Sequence, residues 1–239
     1  MTRYALYLES GPQHRKTMVH VPALLGCIAN GPTTEDAIAA TPDAIRAYLR
    51  FLRRSGDDVD PDAAFTTRVE EHVTEGMWLG NGSPYVTYGP DLEPLSAAEL
   101  TAFINRVLRL REELAAWAET QDTAALAATV PGSSRSSRAI LLHVLGPTGA
   151  YLSPVLGSIA GISRLQTAAE RGEIEISDAL RQATALVIER LRQVTPEERS
   201  KVIQRPKEVR TLRKALRRML EHDWEHLAEL SRRQGGPLL

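Results

Sequence analysis

The sequence predicts an α+β fold in two parts, a small sheet with one helix followed by an all-α four-helix bundle, and three observations carry that prediction. Residues 3–9 and 16–21 alternate with period two, as half-buried strands do. A helical pattern then runs as far as Gly56. From Ser96 onward the apolar spacing is helical almost to the C-terminus. The divisions are a domain over residues 1–60, a linker with hairpin character over 61–95, and a bundle over 96–233.

Residues 3–9 and 16–21 are rich in aromatic and β-branched side chains and read as strands, with Gly11-Pro12 as the turn between them. A third short strand fits Cys27 to Asn30. After Gly31-Pro32, the residues Ala37, Ile38, Ile45, Tyr48, Leu49 and Leu52 keep helical spacing. Pro42 lacks an N–H, which predicts a kink there or a second helical piece with Thr41 as its N-cap. The acidic stretch 57–62 breaks the pattern, and Asn81-Gly82 predicts a hairpin between Val69–Val73 and Tyr85–Tyr88. Four helices follow near 97–120, 136–152, 177–194 and 207–233, enough for a bundle. Ser96 with Glu99, Ser177-Asp178, and Thr195 with Glu198 mark helix starts, while Ser133, Ser134, Ser136 and Ser137 supply an N-cap to the second long helix.

With 239 residues, 43% hydrophobic and 25% charged, and a net charge of −1, the chain can bury a core; neither disorder nor a generally polyanion-binding chain fits. No apolar run approaches the roughly 18 residues of a membrane span, and the N-terminus enters a strand with no signal-peptide core, which predicts the cytoplasm and no membrane partner. The single cysteine, Cys27, excludes an internal disulfide and any multi-thiolate metal site, so a metal here needs His and carboxylate ligands. Cys27 itself reads as a small buried side chain.

On the last helix the inward stripe runs Leu212, Ala215, Met219, His222, His226 and Leu230. Two imidazoles at i and i+4 stand one turn apart on one face, a spacing that lets both reach one metal ion. His143 lies in the apolar run Ala139-Ile-Leu-Leu-His-Val-Leu145 of the second long helix and needs a partner inside a bundle. His143, His222 and His226 are therefore the candidate metal ligands, and three neutral imidazoles leave a coordination position open, as catalytic sites do. Glu221, Asp223 and Glu225 flank the pair as residues that can orient imidazole N–H groups. Pro147 predicts a bend beside the site, and Tyr151 two turns on reads first as core packing. His14, His20 and His72 read as strand or loop residues.

Leu141-Leu142-His143, joined to Arg217-Arg-Met-Leu-Glu-His222-Asp-Trp-Glu-His226-Leu-Ala-Glu-Leu230, resembles the DinB/YfiT-like superfamily of four-helix bundles over residues 96–233. That resemblance implies a divalent ion, nickel, zinc or iron, on His143, His222 and His226, and chemistry of a metal-dependent transferase using a low-molecular-weight thiol cofactor, or of a hydrolase, on a small-molecule substrate. Where the family often carries Trp followed by Ser or Thr, this chain has Arg135-Ser136, so the entrance to the site differs. The first 56 residues resemble the HicB-like antitoxin fold through Val21-Pro22-Ala-Leu24-Leu-Gly26-Cys27, then Gly31, Thr33, Glu35 and Ala37, then Ala44, Ile45, Tyr48 and Leu49. It implies a small sheet with a helix that binds a protein partner, so the alternative reading is a non-enzymatic, antitoxin-like interaction protein. A homodimer is the default assembly for such folds.

Residues 199–218 hold nine Lys or Arg and one acid, Glu208. Arg210, Lys214 and Arg217 fall off the inward stripe without interleaved aromatics and read as a solvated face, so nucleic acid is not the expected partner. No phosphate-cradling glycine motif occurs.

Overall fold

The computed structural model of the chain describes residues 1–11, 15–129 and 134–239. His14, Ser133 and the Pro12 half of the expected turn lie outside the described residues. The architecture is α+β, a mixed sheet followed by a mostly helical region. Packing divides the chain into two compact units: Met1–Glu93 with Val202–Glu221 and Leu239, and Pro94–Lys201 with His222–Leu238. These bounds depart from the expected ones, because the stretch read as a linker supplies a strand and core residues to the first unit.

In the first unit, β1 (Thr2–Gly11), β2 (Lys16–His20) and β3 (Ile28–Gly31) form an antiparallel meander. The β2–β3 turn is built as the sequence implies. Val21 N–H donates to Cys27 O at 3.1 Å, and Gly26 takes φ +100°, a conformation glycine adopts without a Cβ penalty. Helix α1 (Thr34–Arg54) is capped by Thr33, whose hydroxyl accepts from Asp36 N–H. It packs over β2 and β3 and buries Ala37, Ile45, Tyr48, Leu49 and Leu52. It runs unbroken through Pro42: Thr41 is no N-cap, since it is buried and its hydroxyl donates to Ala37 O at 2.8 Å.

Strand β4 (Phe65–Val73) pairs in parallel with β1, completing the order β3-β2-β1-β4 with a bulge opposite Leu6 and Tyr7. The expected hairpin is therefore absent among the described residues, and Tyr85–Tyr88 carries no strand. The glycine-rich turn serves a different purpose. Ser83 N–H donates to both oxygens of the buried Glu9 carboxylate at 2.8 and 3.0 Å, which ties the loop to β1. Leu79, Val86 and Tyr88 can then pack with Tyr7 and Val73 in a cluster of their own. A short hairpin joins β5 (Ile203–Arg205) to β6 (Glu208–Arg210), and β6 occupies what read as the start of the last helix.

The first half of the last helix belongs to this unit, and its basic residues correct the expectation of a solvated face. Lys214 and Arg217 are both buried. Arg217 reaches Asp91 Oδ1 and Oδ2 at 2.7 and 2.8 Å and Glu221 at 2.8 Å, and Glu221 accepts from His20 Nδ1 at 2.9 Å. Lys214 Nζ donates to Pro84 O, Thr87 Oγ1 and Val209 O at 2.7 to 2.9 Å. Buried cations persist where acceptors replace the lost water, and both sites meet that condition.

The second unit holds α2 (Ala97–Glu119), α3 (Thr123–Ala127), α4 (Ser137–Leu145), α5 (Thr148–Leu156), α6 (Ile162–Glu170), α7 (Ile176–Arg192), α8 (Pro196–Ser200) and the second half of α9 (Leu212–Ser231). The capping boxes at Ser96 with Glu99 and Thr195 with Glu198 form as expected, whereas α7 starts at Ile176 and takes Ser177 inside. Helix α2 packs along α7, burying Phe103, Val107, Leu110 and Leu114 on one side and Leu180, Ala183, Val187 and Leu191 on the other. The bend expected at Pro147 is a break, with α4 ending at Leu145 and α5 starting at Thr148. Ser137–Leu156, spanning both, is long and apolar enough by length and composition to cross a membrane, an exception to the expectation that no segment is. Its apolar side chains Ile140, Leu141, Val144, Leu145 and Leu152 are fully buried within the fold, as core helices require.

Candidate metal centre

Two helices of the second unit carry the three histidines. On α4, Ser136 caps the first turn by accepting from Ala139 N–H at 3.1 Å, and Ile140, Leu141, Val144 and Leu145 bury one face. This leaves His143 at the edge of that face, on the exposed side. On α9, His222 is half-buried and His226 buried, one turn apart as the i, i+4 spacing dictates. The rotation of α9 is fixed by Asp223, which is fully buried and takes a two-point ion pair from Arg111 of α2, Nε to Oδ2 at 2.8 Å and Nη2 to Oδ1 at 3.2 Å.

The three imidazoles converge. Their ring centroids lie 4.9 Å apart for His143 and His222, 4.9 Å for His143 and His226, and 4.6 Å for His222 and His226. One ring nitrogen from each falls within 4.8 Å of the other two, and Nε2 of His143 and His222 approach to 3.2 Å. A tetrahedral ion with metal–nitrogen bonds near 2.0–2.1 Å sets its ligand nitrogens about 3.3 Å apart, so this spacing suits one ion. Imidazole suits zinc, nickel and iron alike. Burial holds His226 below the usual histidine range, with the His222 charge adding to the effect. Burial, His226 and Arg135 lower His143 in the same way. Both shifts favour the neutral ring, the form that offers a lone pair.

Further groups surround the cluster. Tyr151 of α5 is half-buried with its ring centroid 5.7 Å from that of His222. His226 Nδ1 lies 2.9 Å from Glu229 Oε2, and the same oxygen accepts from Arg135 Nη2 at 2.8 Å. Of the acids the sequence singled out, Glu221 is committed to Arg217 and His20, and Asp223 to Arg111. The partner of His226 is instead Glu229, which sequence reasoning missed although it stands one turn on, at i+3, on the same helix. His222 Nδ1 is buried without a hydrogen-bond partner among the described residues, and the 3.8 Å to Asp223 Oδ1 is too long for a hydrogen bond. His20 is buried in the first unit's ion-pair network, and His72 lies on β4, 2.6 Å from Ser10 Oγ. Cys27 is buried as expected, and burial pushes its thiol up, away from nucleophilic use.

Comparison with known proteins yields one informative match. A UPF0150 protein of Thermoplasma acidophilum is 38% identical over 47 residues, covering 20% of this chain and 68% of that protein. UPF0150 is a HicB-like family, in agreement with the N-terminal resemblance. No family model and no solved structure matches the chain.

Proposed function

We propose, for a chain that belongs to the UPF0150 family through its N-terminal part, that the second unit binds one divalent metal ion, nickel, zinc or iron, through His143, His222 and His226, and that this centre performs metal-dependent transferase or hydrolase chemistry. The observation that carries the reading is the convergence of three ring nitrogens within 4.8 Å, supplied by two helices. The ion would supply Lewis acidity and an open position for a water, a carbonyl oxygen or the sulfur of a low-molecular-weight thiol. The residues supply the rest. His143 and His226, shifted toward their neutral forms, present lone pairs, Arg111 with Asp223 fixes the rotation of α9, and the exposed flank of His143 leaves a way in for a small-molecule substrate.

Plasma mass spectrometry on the untagged chain tests this reading. Near one equivalent of metal is expected, lost in both His222→Ala and His143→Ala with helicity retained; unchanged metal in those variants overturns it.

The UPF0150 match favours a second role for the N-terminal unit, binding of a protein partner in the manner the HicB-like resemblance implies. Affinity capture with the full chain and with the His222→Ala chain separates the two roles: the same partner recovered by both places binding outside the metal centre, and none recovered by either removes the partner role. A homodimer is the assembly proposed, read as twice the chain mass in native mass spectrometry.

A further inference from the structure

We infer that Glu229 is a positioning residue of the metal centre, holding His226 in the one tautomer that turns its Nε2 lone pair toward the ion; the inference rests on the metal reading above. A carboxylate only accepts hydrogen bonds, so at 2.9 Å from Glu229 Oε2 the proton of the His226 ring sits on Nδ1. A neutral imidazole has one ring proton, and Nε2 is then an acceptor, the nitrogen left for the cluster with His143 and His222.

Glu229 is itself held. Arg135 Nη2 donates to the same oxygen at 2.8 Å, while Arg135 O accepts from Arg233 Nη2 at 2.8 Å. Arg233 Nη1 in turn donates to Ser137 Oγ at 2.9 Å, in the first turn of the helix that carries His143. The chain His226–Glu229–Arg135–Arg233–Ser137 therefore fixes the ring and joins the end of α9 to the start of α4, the two helices that bring the ligands. His222, whose Nδ1 has no such partner among the described residues, lacks this device. Arg135, which stands where the resembled family often has Trp, thus has a purpose of its own here.

The test measures zinc affinity of the full chain by competition with a chromophoric chelator, and the His226 tautomer in metal-free protein by nitrogen-15 NMR of the imidazoles. Glu229→Ala is expected to weaken zinc about 10- to 100-fold and to shift His226 away from the Nδ1–H form. Glu229→Gln, whose amide oxygen still accepts from Nδ1, keeps that tautomer and more of the affinity. Circular dichroism of both variants controls for folding. A Glu229→Ala chain that binds zinc as the native chain does, or that keeps the His226 tautomer, overturns the role of Glu229 alone. A native chain that takes up no zinc overturns the metal reading and the assignment of Glu229 to a metal centre with it.

Discussion

Arg111 and Asp223 meet in a two-point ion pair with both side chains excluded from water, 2% and 0% exposed. Burial alone would raise the Asp223 carboxyl, but the guanidinium opposite holds it below the usual range. Such a pair adds little net stability over well-packed apolar side chains, yet removing one member strands a buried charge at a cost of about 3–5 kcal/mol. Arg111→Met and Asp223→Leu should each lose stability on that scale in urea titrations, and the double variant should lose less than their sum. Additive losses would mean that the two groups are not coupled.

The Arg217 site makes a related prediction with a different geometry. One guanidinium there serves two carboxylates, Asp91 and Glu221, each at 2.7 to 2.8 Å at its shortest. Arg217→Met takes the two-point partner from Asp91 and leaves Glu221 with only His20 at 2.9 Å and Arg218 at 3.9 Å, and is expected to cost about 3–5 kcal/mol. Arg217→Lys should recover only part of this, because a single ammonium cannot reproduce the fork that spans Asp91 Oδ1 and Oδ2. Equal stability of the lysine variant and the native chain in chemical denaturation would refute the two-carboxylate account.

How much of this was legible follows from how local each signal is. The β1–β2–β3 meander, α1 and its Thr33 start were readable because alternation, helical spacing and turn glycines act within a few residues. The convergence of His143, His222 and His226 was readable because each imidazole interrupts an apolar stripe. The Val69–Val73 end of β4 read as a strand, but its pairing did not, since its partner β1 lies some 60 residues back and a parallel pairing leaves no local turn to mark it. Asn81-Gly82 misled for the complementary reason: the dipeptide marks a tight turn, but the Glu9 carboxylate across the sheet decides what that turn serves. Arg217 read as solvated because Asp91, which neutralises it, is 126 positions away. Glu229 sits three residues from His226, well within local reach, but nothing in the pattern ranked it above its acidic neighbours.

Lys214 sets a pH dependence. Burial, joined by Arg217 and Arg218, lowers its ammonium from the ordinary 10.5 to about 8, against the pull of Asp91 and Glu208. Below pH 8 the group is charged in folded and unfolded chains alike. Between 8 and 10.5 the unfolded chain holds a proton that the folded chain has released, so stability attributable to this group rises with pH, by at most about 1.4 kcal/mol per unit. Denaturation across that range should show the rise in the native chain and not in Lys214→Met; parallel curves for the two would rule out the shift.

Gly31 tests the close approach of α1 to the sheet. A Cβ placed there would lie 2.3 Å from Ala37 N and 2.8 Å from Ala37 Cα, atoms of the helix backbone that have no side-chain freedom with which to retreat. Ala37 is itself fully buried, so the helix cannot lift off β3 without opening the core of the first unit. Gly31→Ala is therefore expected to cost about 1–3 kcal/mol through forced backbone displacement. Gly89 supplies the control: nothing lies within 4 Å of its would-be Cβ and its φ is not left-handed, so Gly89→Ala should stay within about 0.5 kcal/mol of the native chain. Thermal melts of the two variants side by side decide it, and a Gly31→Ala chain as stable as Gly89→Ala would show that α1 does not pack against β3 through this contact.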